Sequence, residues 1–177
     1  MSLENLRKRS EEEIKYIFGI ILDAVDAVVK EATVKEEKVN FNVIGRVYLL
    51  PEEVRDKIKE LIDFTKANDQ NFINLCIMYD GQEEIVDAVK KIIKNGVKEE
   101  EINREVIKNH LYTRNFPEVD YIIRTGMEDG ARISGFLLWD ASYAEFKFRS
   151  DLWPDYSREM VIEDLKDFSN RTRRKGK

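Results

Sequence analysis

Cysteine and histidine each occur once in this sequence, proline three times and glycine eight times among 177 residues. A lone Cys76 excludes an intrachain disulfide and gives no argument for an oxidising compartment. Its ordinary role is that of a small buried hydrophobe in a strand. With His110 as the only imidazole, no zinc ligand set can be assembled from thiols and imidazoles. A metal here is therefore expected to be a hard ion held by carboxylates and phosphates, which points to magnesium. Long apolar runs are also missing: the best, Ile14–Val29, carries Asp23 and Asp26 and is too short to span a bilayer. The amino-terminal stretch MSLENLRKRSEEE is polar and charged, unlike a signal peptide.

What is present is a globular composition, 42% hydrophobic and 37% charged, with a net charge of −5. That sign argues against broad nucleic-acid binding. The basic tail Arg171–Lys177 does not reverse the argument, because no aromatic platform accompanies it. A cytoplasmic protein of one domain, residues 1–177, is the expectation.

Periodicity gives an alternation of helices and strands. Ser10 followed by Glu11, Glu12 and Glu13 is a helix start, and Ile14, Ile17, Phe18, Ile21, Leu22, Val25, Val28 and Val29 continue it at helical spacing. Gly19, Ala24 and Ala27 make this helix thin. Val39, Phe41 and Val43 alternate with Asn40 and Asn42 as a strand ending at Gly45, and Pro51 opens a helix to about Ala67. Phe72–Tyr79 is an almost unbroken apolar run, expected to be a buried parallel strand. Helices are predicted over 83–95 and 100–111, strands over 121–125 and 146–148, and a last helix from Pro154. The alternation predicts a parallel α/β sheet with helices on both faces.

The chemistry concentrates at 124–139. In open parallel sheets, ligands bind beyond the carboxyl ends of strands. Arg124 ends the third predicted strand, the loop Gly126–Gly130 is polar, and Arg132 and Ser134 precede an apolar helix predicted at Phe136–Trp139. Two arginines, a hydroxyl and the free N–H groups of a helix start make an anion pocket. Glu128 and Glu145 are expected to bring carboxylates near it. Taken singly, Arg124 would more often be a surface ion pair with a residue such as Glu128. The whole constellation outweighs that reading.

Two segments, RTGMEDGARISGFLLWDASYAEF (124–146) and DLWPDY (151–156), resemble the signature of the cis-prenyltransferases, the undecaprenyl diphosphate synthase family. The likeness extends to Ile44-Gly45, Leu50-Pro51-Glu52, Tyr79–Ile85 with Asp87-Ala88-Val89, Leu111-Tyr112-Thr113, Arg171–Gly176 and Ser2–Asn5, and so covers essentially the whole chain. The resemblance implies condensation of isopentenyl diphosphate onto an allylic diphosphate to make polyprenyl diphosphate with cis double bonds. It implies that Arg124, Arg132 and Ser134 hold the diphosphate of isopentenyl diphosphate, and that Arg174 and Gly176 reach toward the same substrate across a homodimer. Asn5, with Lys8 or Arg9, would lie close to the reacting diphosphates. Glu145 would join magnesium binding from the partner side. Phe18, Leu22, Leu75 and Ile77 would line the hydrophobic product tunnel, with room left by Gly19, Ala24 and Ala27. Core packing is the plain alternative for each of these side chains. Peripheral contact with a membrane is implied for product release.

The family's Met-Asp-Gly-Asn section, which carries the catalytic aspartate and the allylic phosphate cradle, has no counterpart here. Asp80-Gly81 is followed by Gln82-Glu83 and lies elsewhere in the order. Relative to the family, the sequence therefore reads as shortened at its amino end, with no assignable catalytic residue. Asp80, Gln82, Leu6 and Gly135 also depart from the family pattern, and two residues are inserted between Glu128 and Arg132. The alternative function is a non-catalytic partner subunit in a heterodimer with a catalytic chain. The loss of two strands would also leave an exposed sheet edge, which dimerisation or swapping would cover.

Overall fold

The computed structural model describes residues 8–128 and 130–172. The chain divides between Ala88 and Val89 into two compact units.

In the first unit, helix α1 (Glu11–Lys30) begins with a capping box. The Ser10 hydroxyl accepts from the Glu13 N–H, and the Glu13 carboxylate accepts from the Ser10 N–H. A short helix α2 (Ala32–Glu36) leads into strand β1 (Val39–Ile44). Pro51 caps helix α3 (Glu52–Thr65), which buries Val54, Ile58, Leu61 and Thr65 along one face. Strand β2 (Asn71–Cys76) pairs parallel with β1, from Val39 opposite Asn71 to Ile44 opposite Cys76. Two apolar clusters cement these elements, one around Leu50, Val54, Ile58, Ile77 and Met78, the other around Val25, Val34, Phe41 and Leu61. Each side chain fully buried in them contributes about 1.5–3 kcal/mol.

At Gly45 the chain leaves β1 with φ +122°, and a Cβ there would lie 2.1 Å from the Ile77 carbonyl oxygen. Only glycine fits so close an approach. The outer edge of β1 is closed by α3 and the turn after it: the Phe41 N–H donates to Thr65 Oγ1, and the Asn40 amide donates to the Thr65 and Asn68 carbonyls.

The expected buried strand at 72–79 is corrected here. The ladder ends at Cys76, and Phe72 and Ile73 are 58% and 42% exposed. A parallel strand is buried only when both edges and both faces are covered, and among the described residues β2 has β1 as its single strand neighbour. The apolar residues that do reach the core, Ile77, Met78 and Tyr79, lie just past the strand.

Helix α4 (Gly81–Lys94) runs through the boundary between the units. The second unit continues with α5 (Arg104–His110), β3 (Tyr121–Arg124), β4 (Glu145–Phe148) and α6 (Arg158–Ser169). Strands β3 and β4 pair parallel, Tyr121 opposite Glu145 and Arg124 opposite Phe148. Tyr121 stacks on Phe168 of α6 with ring centroids 4.6 Å apart.

Three helix expectations change in this unit. The segment Phe136–Trp139 is a run of turns, because Ser134, Gly135 and Leu137 adopt left-handed φ values of +47°, +75° and +47° that no α-helix contains. The helix predicted over 100–111 starts at Arg104, where the Asn103 side chain caps it by accepting from the Val106 N–H. The last helix starts at Arg158, capped by Ser157, while Trp153–Asp155 forms a separate 3-10 turn. The architecture is α/β, parallel strands alternating with helices, as the sequence pattern predicts.

Candidate functional site

Arg124 stands at the carboxyl end of β3, and the backbone on either side of it is fixed. Its carbonyl accepts from the Arg149 N–H, the Gly126 N–H donates to the Asp151 carbonyl, and the Met127 N–H donates to the Arg149 carbonyl. Gly126 takes φ +67° to enter the turn, and Met127 is buried below it. The loop after β3 is thus zipped to the segment after β4. Beyond it the chain curls back, so that Arg124 Nη1 donates to the Arg132 carbonyl at 2.6 Å and to Ser134 Oγ at 3.1 Å.

Arg124, Arg132 and Ser134 therefore meet in one turn, as the sequence predicts. The contact is different in kind: one guanidinium nitrogen of the half-buried Arg124 braces the turn. Among the described residues Arg124 forms no ion pair, with Glu128 or any other acid. The side chain of Arg132 is exposed. No helix start supplies N–H groups here, so any grip on an anion comes from the two guanidinium groups and the Ser134 hydroxyl.

A pair that sequence reading missed holds this turn in shape. Arg149 Nε and Nη2 donate to the two carboxylate oxygens of Asp164, each at 2.7 Å, and Asp164 is fully buried. Tyr156 donates its hydroxyl to Asp164 Oδ2 at 2.8 Å, and Arg149 also reaches Glu163. The Arg149 hydrogen bonds hold the Asp164 carboxyl below the usual carboxylate range. Burial, and then the hydrogen bond to Asp164, push the Tyr156 hydroxyl up to about 12. Arg149 passes its fixed position to Met127 through its own carbonyl. Spacing alone gave no sign of the pair, because Arg149 and Asp164 are joined only by the packing of α6.

Other predicted residues lie elsewhere. Glu145 begins β4 opposite Tyr121, three residues from the Arg124–Phe148 rung. That is roughly 10 Å along a strand, so within one chain it is not beside the turn as expected. Its carboxylate accepts from Arg171 Nη1 at 3.2 Å, and Arg171 also bonds the Phe146 carbonyl and Asp167. Asn5, Arg174 and Gly176 lie outside the described residues. Phe18, Leu22, Leu75 and Ile77 do come together, all in the cluster around Leu50 and Met78. Gly19 has open space beside it, and Ala24 and Ala27 are exposed.

The start of α4 is no second anion cradle. Asp80 Oδ1 accepts from the Gln82 and Glu83 N–H groups, placing the protein's own carboxylate where a phosphate would sit. At the end of β1, Arg46 is likewise committed, bidentate to Asp87 and bonded to Glu83. Cys76 and His110 take structural roles: burial pushes the thiol up to about 11, and His110 bonds the Val106 carbonyl and Asn95. Among the described residues no three acidic, histidine or cysteine side chains gather as a metal centre. A single carboxylate such as Glu145 fits only a magnesium ion held largely by substrate phosphates.

Parallel strands alternating with helices, with a basic turn at the carboxyl end of one strand, define the class as α/β. The family whose description reads "Putative undecaprenyl diphosphate synthase" matches residues 1–176, and the chain belongs to that prenyltransferase family. It is 38% identical over 180 residues to a tritrans,polycis-undecaprenyl-diphosphate synthase (geranylgeranyl-diphosphate specific) of Thermoplasma volcanium, covering 99% of this chain and 69% of the relative. The synthase of the same name from Methanocaldococcus jannaschii is 39% identical, with 99% of this chain and 64% of that protein covered. Lavandulyl diphosphate synthase from Lavandula x intermedia, solved with dimethylallyl diphosphate, superposes with a TM-score of 0.92 at 29% identity, over 100% of this chain and 76% of that one. The chain spans about two thirds of the length of these curated relatives.

Proposed function

We propose that this chain is a cis-prenyltransferase-type protein that binds isopentenyl diphosphate at the turn of Arg124, Arg132 and Ser134, for condensation onto an allylic diphosphate. The observation that carries the reading is the double donation from Arg124 Nη1 to the Arg132 carbonyl and Ser134 Oγ. It fixes a guanidinium fork, without an acid partner among the described residues, at the carboxyl end of a parallel strand, where α/β proteins take their ligands. An arginine pair suits a diphosphate because it binds two oxygens at once and never loses its charge.

Magnesium, held mainly by substrate phosphates with Glu145 as a carboxylate ligand from a second subunit, would neutralise the leaving diphosphate. The separation of Glu145 from Arg124 within one chain supports that division between subunits. Arg174, Gly176 and Asn5 complete the proposed contacts to the substrates. The cluster holding Phe18, Leu22, Leu75 and Ile77 is the proposed wall of the product tunnel. The family match over residues 1–176 supports reading 1–177 as one functional domain. A cytoplasmic location with peripheral membrane contact at product release completes the proposal; no helix among the described residues is long and apolar enough to cross a membrane.

A second reading is a non-catalytic partner subunit of a heteromeric cis-prenyltransferase, with turnover supplied by another chain. Calorimetry with isopentenyl diphosphate and magnesium tests the site. Arg124→Ala and Arg132→Ala each remove a charge-assisted contact worth about 1.5–3 kcal/mol, or about a 10- to 150-fold loss of affinity. Parent-like binding by both variants would refute the assignment. Incorporation of labelled isopentenyl diphosphate onto geranylgeranyl diphosphate, the primer in the archaeal relatives' names, separates turnover from binding alone.

A further inference from the structure

Building on the reading of Glu145 as a magnesium ligand, we infer that Arg171 is the residue that positions it. Arg171 holds one oxygen of the Glu145 carboxylate in place and leaves the other to the metal ion.

Arg171 is itself firmly fixed. It follows α6, and its N–H donates to the Phe168 carbonyl, which keeps it against the end of that helix. Nη2 donates to Asp167 Oδ2 at 2.7 Å, an ion pair with the residue four places earlier. Nη1 donates to the Phe146 carbonyl of β4 at 3.1 Å. The guanidinium also lies over the Tyr121 ring of β3, 5.3 Å from its centroid, and Tyr121 is stacked on Phe168. A guanidinium carries its N–H donors in a rigid plane, so contacts with helix, strand and ring together decide where each nitrogen points.

Nη1, fixed in this way, also donates to Glu145 Oε2 at 3.2 Å. The Glu145 backbone is held as well: its N–H donates to the Asp120 carbonyl, and the residue stands opposite Tyr121 in the strand ladder. Both ends of the Glu145 side chain are therefore anchored. Among the described residues Oε1 meets no donor, and the side chain is 37% exposed. One carboxylate oxygen is tied down and the other is open to a cation.

The distances show how charge is divided. A charge-assisted N–H···O bond runs about 2.7–2.9 Å. The Arg171–Asp167 bond falls in that range and the Arg171–Glu145 bond does not. Asp167 is thus the main counter-ion of Arg171, and Glu145 keeps most of its charge for a metal. A plain ion pair, with Arg171 neutralising Glu145, would show the reverse. Carboxylates that bind metals are aimed by such outer hydrogen bonds, and loss of the outer partner costs about 10- to 100-fold in metal affinity. Helix α6 then serves two places. Its Asp164 clamps Arg149 behind the turn of Arg124, and its Asp167, through Arg171, aims Glu145 at the other end of the β3–β4 pair.

Calorimetry of isopentenyl diphosphate, repeated over a series of magnesium concentrations, reads the magnesium needed for half-maximal affinity without any turnover. Glu145→Gln is expected to raise that requirement. Arg171→Ala should raise it by about 10- to 100-fold. In the Glu145→Gln chain, Arg171→Ala should add less than about twofold, because a residue that acts through Glu145 then has nothing to position. Arg171→Lys serves if the alanine variant does not fold. Its single ammonium can keep Asp167 but cannot also span the Phe146 carbonyl and Glu145, so it should raise the requirement to a similar extent. If both Arg171 variants keep the parent's requirement while Glu145→Gln raises it, the inference is overturned and Glu145 binds the metal unaided. An Arg171→Ala effect as large in the Glu145→Gln chain as in the parent overturns it too, and leaves Arg171 a structural brace only. A parent whose affinity is independent of magnesium, or a Glu145→Gln chain that behaves as the parent, overturns the magnesium reading of Glu145 and the inference with it.

Discussion

Asp164→Asn is the sharpest test of what holds the turn of Arg124, Arg132 and Ser134 in place. The substitution keeps the shape of the side chain and removes its charge. Asp164 has no exposed surface and receives two 2.7 Å hydrogen bonds from Arg149, whose side chain is 13% exposed. Breaking one partner of a buried pair costs about 3–5 kcal/mol, because the other charge is left uncompensated. Arg149 retains Glu163 and Asp151, but those carboxylates are 69% and 32% exposed, and pairs open to solvent are each worth under about 1 kcal/mol. The expected loss is therefore near the lower bound, about 3 kcal/mol. With a urea dependence of about 2 kcal/mol per molar, the midpoint falls by about 1.5 M. Both tryptophans, Trp139 and Trp153, lie in the second unit, so their fluorescence reports on it. Glu163→Gln, the exposed partner of the same arginine, is the control. If Asp164→Asn shifts the midpoint no further than Glu163→Gln, the buried pair is not what holds this unit together.

A pH series adds a second reading. The Asp164 carboxyl titrates below its ordinary value in the folded chain, chiefly through the Arg149 hydrogen bonds. A group with a depressed folded pKa contributes stability that is present above its unfolded value and lost as pH falls through the folded one. The gap between the parent and Asp164→Asn should therefore be full above about pH 5 and close progressively below about pH 4. A gap that stays constant down to acid unfolding would mean that the charge is not the stabilising element.

Two core predictions follow from single positions. Gly45→Ala places a Cβ 2.1 Å from the Ile77 carbonyl at φ +122°. A loss above about 3 kcal/mol is expected, read as a large drop in Tm or as insoluble expression; an unchanged Tm would contradict the close approach. Thr65→Val removes the buried hydroxyl that accepts from the Phe41 N–H and donates to the Leu61 carbonyl. It leaves a buried donor unmet and should cost about 1–3 kcal/mol in urea unfolding, with faster exchange at Phe41 as its signature.

The sequence was most legible where local chemistry decides structure. Ser10 with Glu13 makes a capping box, Pro51 opens α3, and Tyr121–Arg124 is a strand ending in its arginine. The meeting of Arg124, Arg132 and Ser134 was legible too, because their order along one loop constrains them. Three features were not. The exposure of Phe72 and Ile73 depends on whether a neighbouring strand is present, and hydrophobicity cannot report that. The Arg149–Asp164 pair depends on how α6 packs. The turns at Phe136–Trp139 override an apolar run with the spacing of a helix, because Ser134 and Leu137 take left-handed φ values that a propensity argument assigns to glycine.

That last difference changes what the proposed anion site must be made of. A helix start would have offered backbone N–H groups, which no side-chain substitution removes. A series of turns offers no aligned dipole, so the grip depends on the arginines and on the geometry that Arg124 imposes. Arg124 does two things at once: one nitrogen spans the Arg132 carbonyl and Ser134 Oγ, and the remaining N–H groups stay available. Lysine has a single ammonium on a flexible stem and cannot both brace the loop and present a planar fork. Arg124→Lys should therefore lose nearly as much affinity for isopentenyl diphosphate as Arg124→Ala, although it preserves the charge. Had a helix dipole carried the site, the lysine variant would bind within a few-fold of the parent, and calorimetry on the two variants decides between these designs.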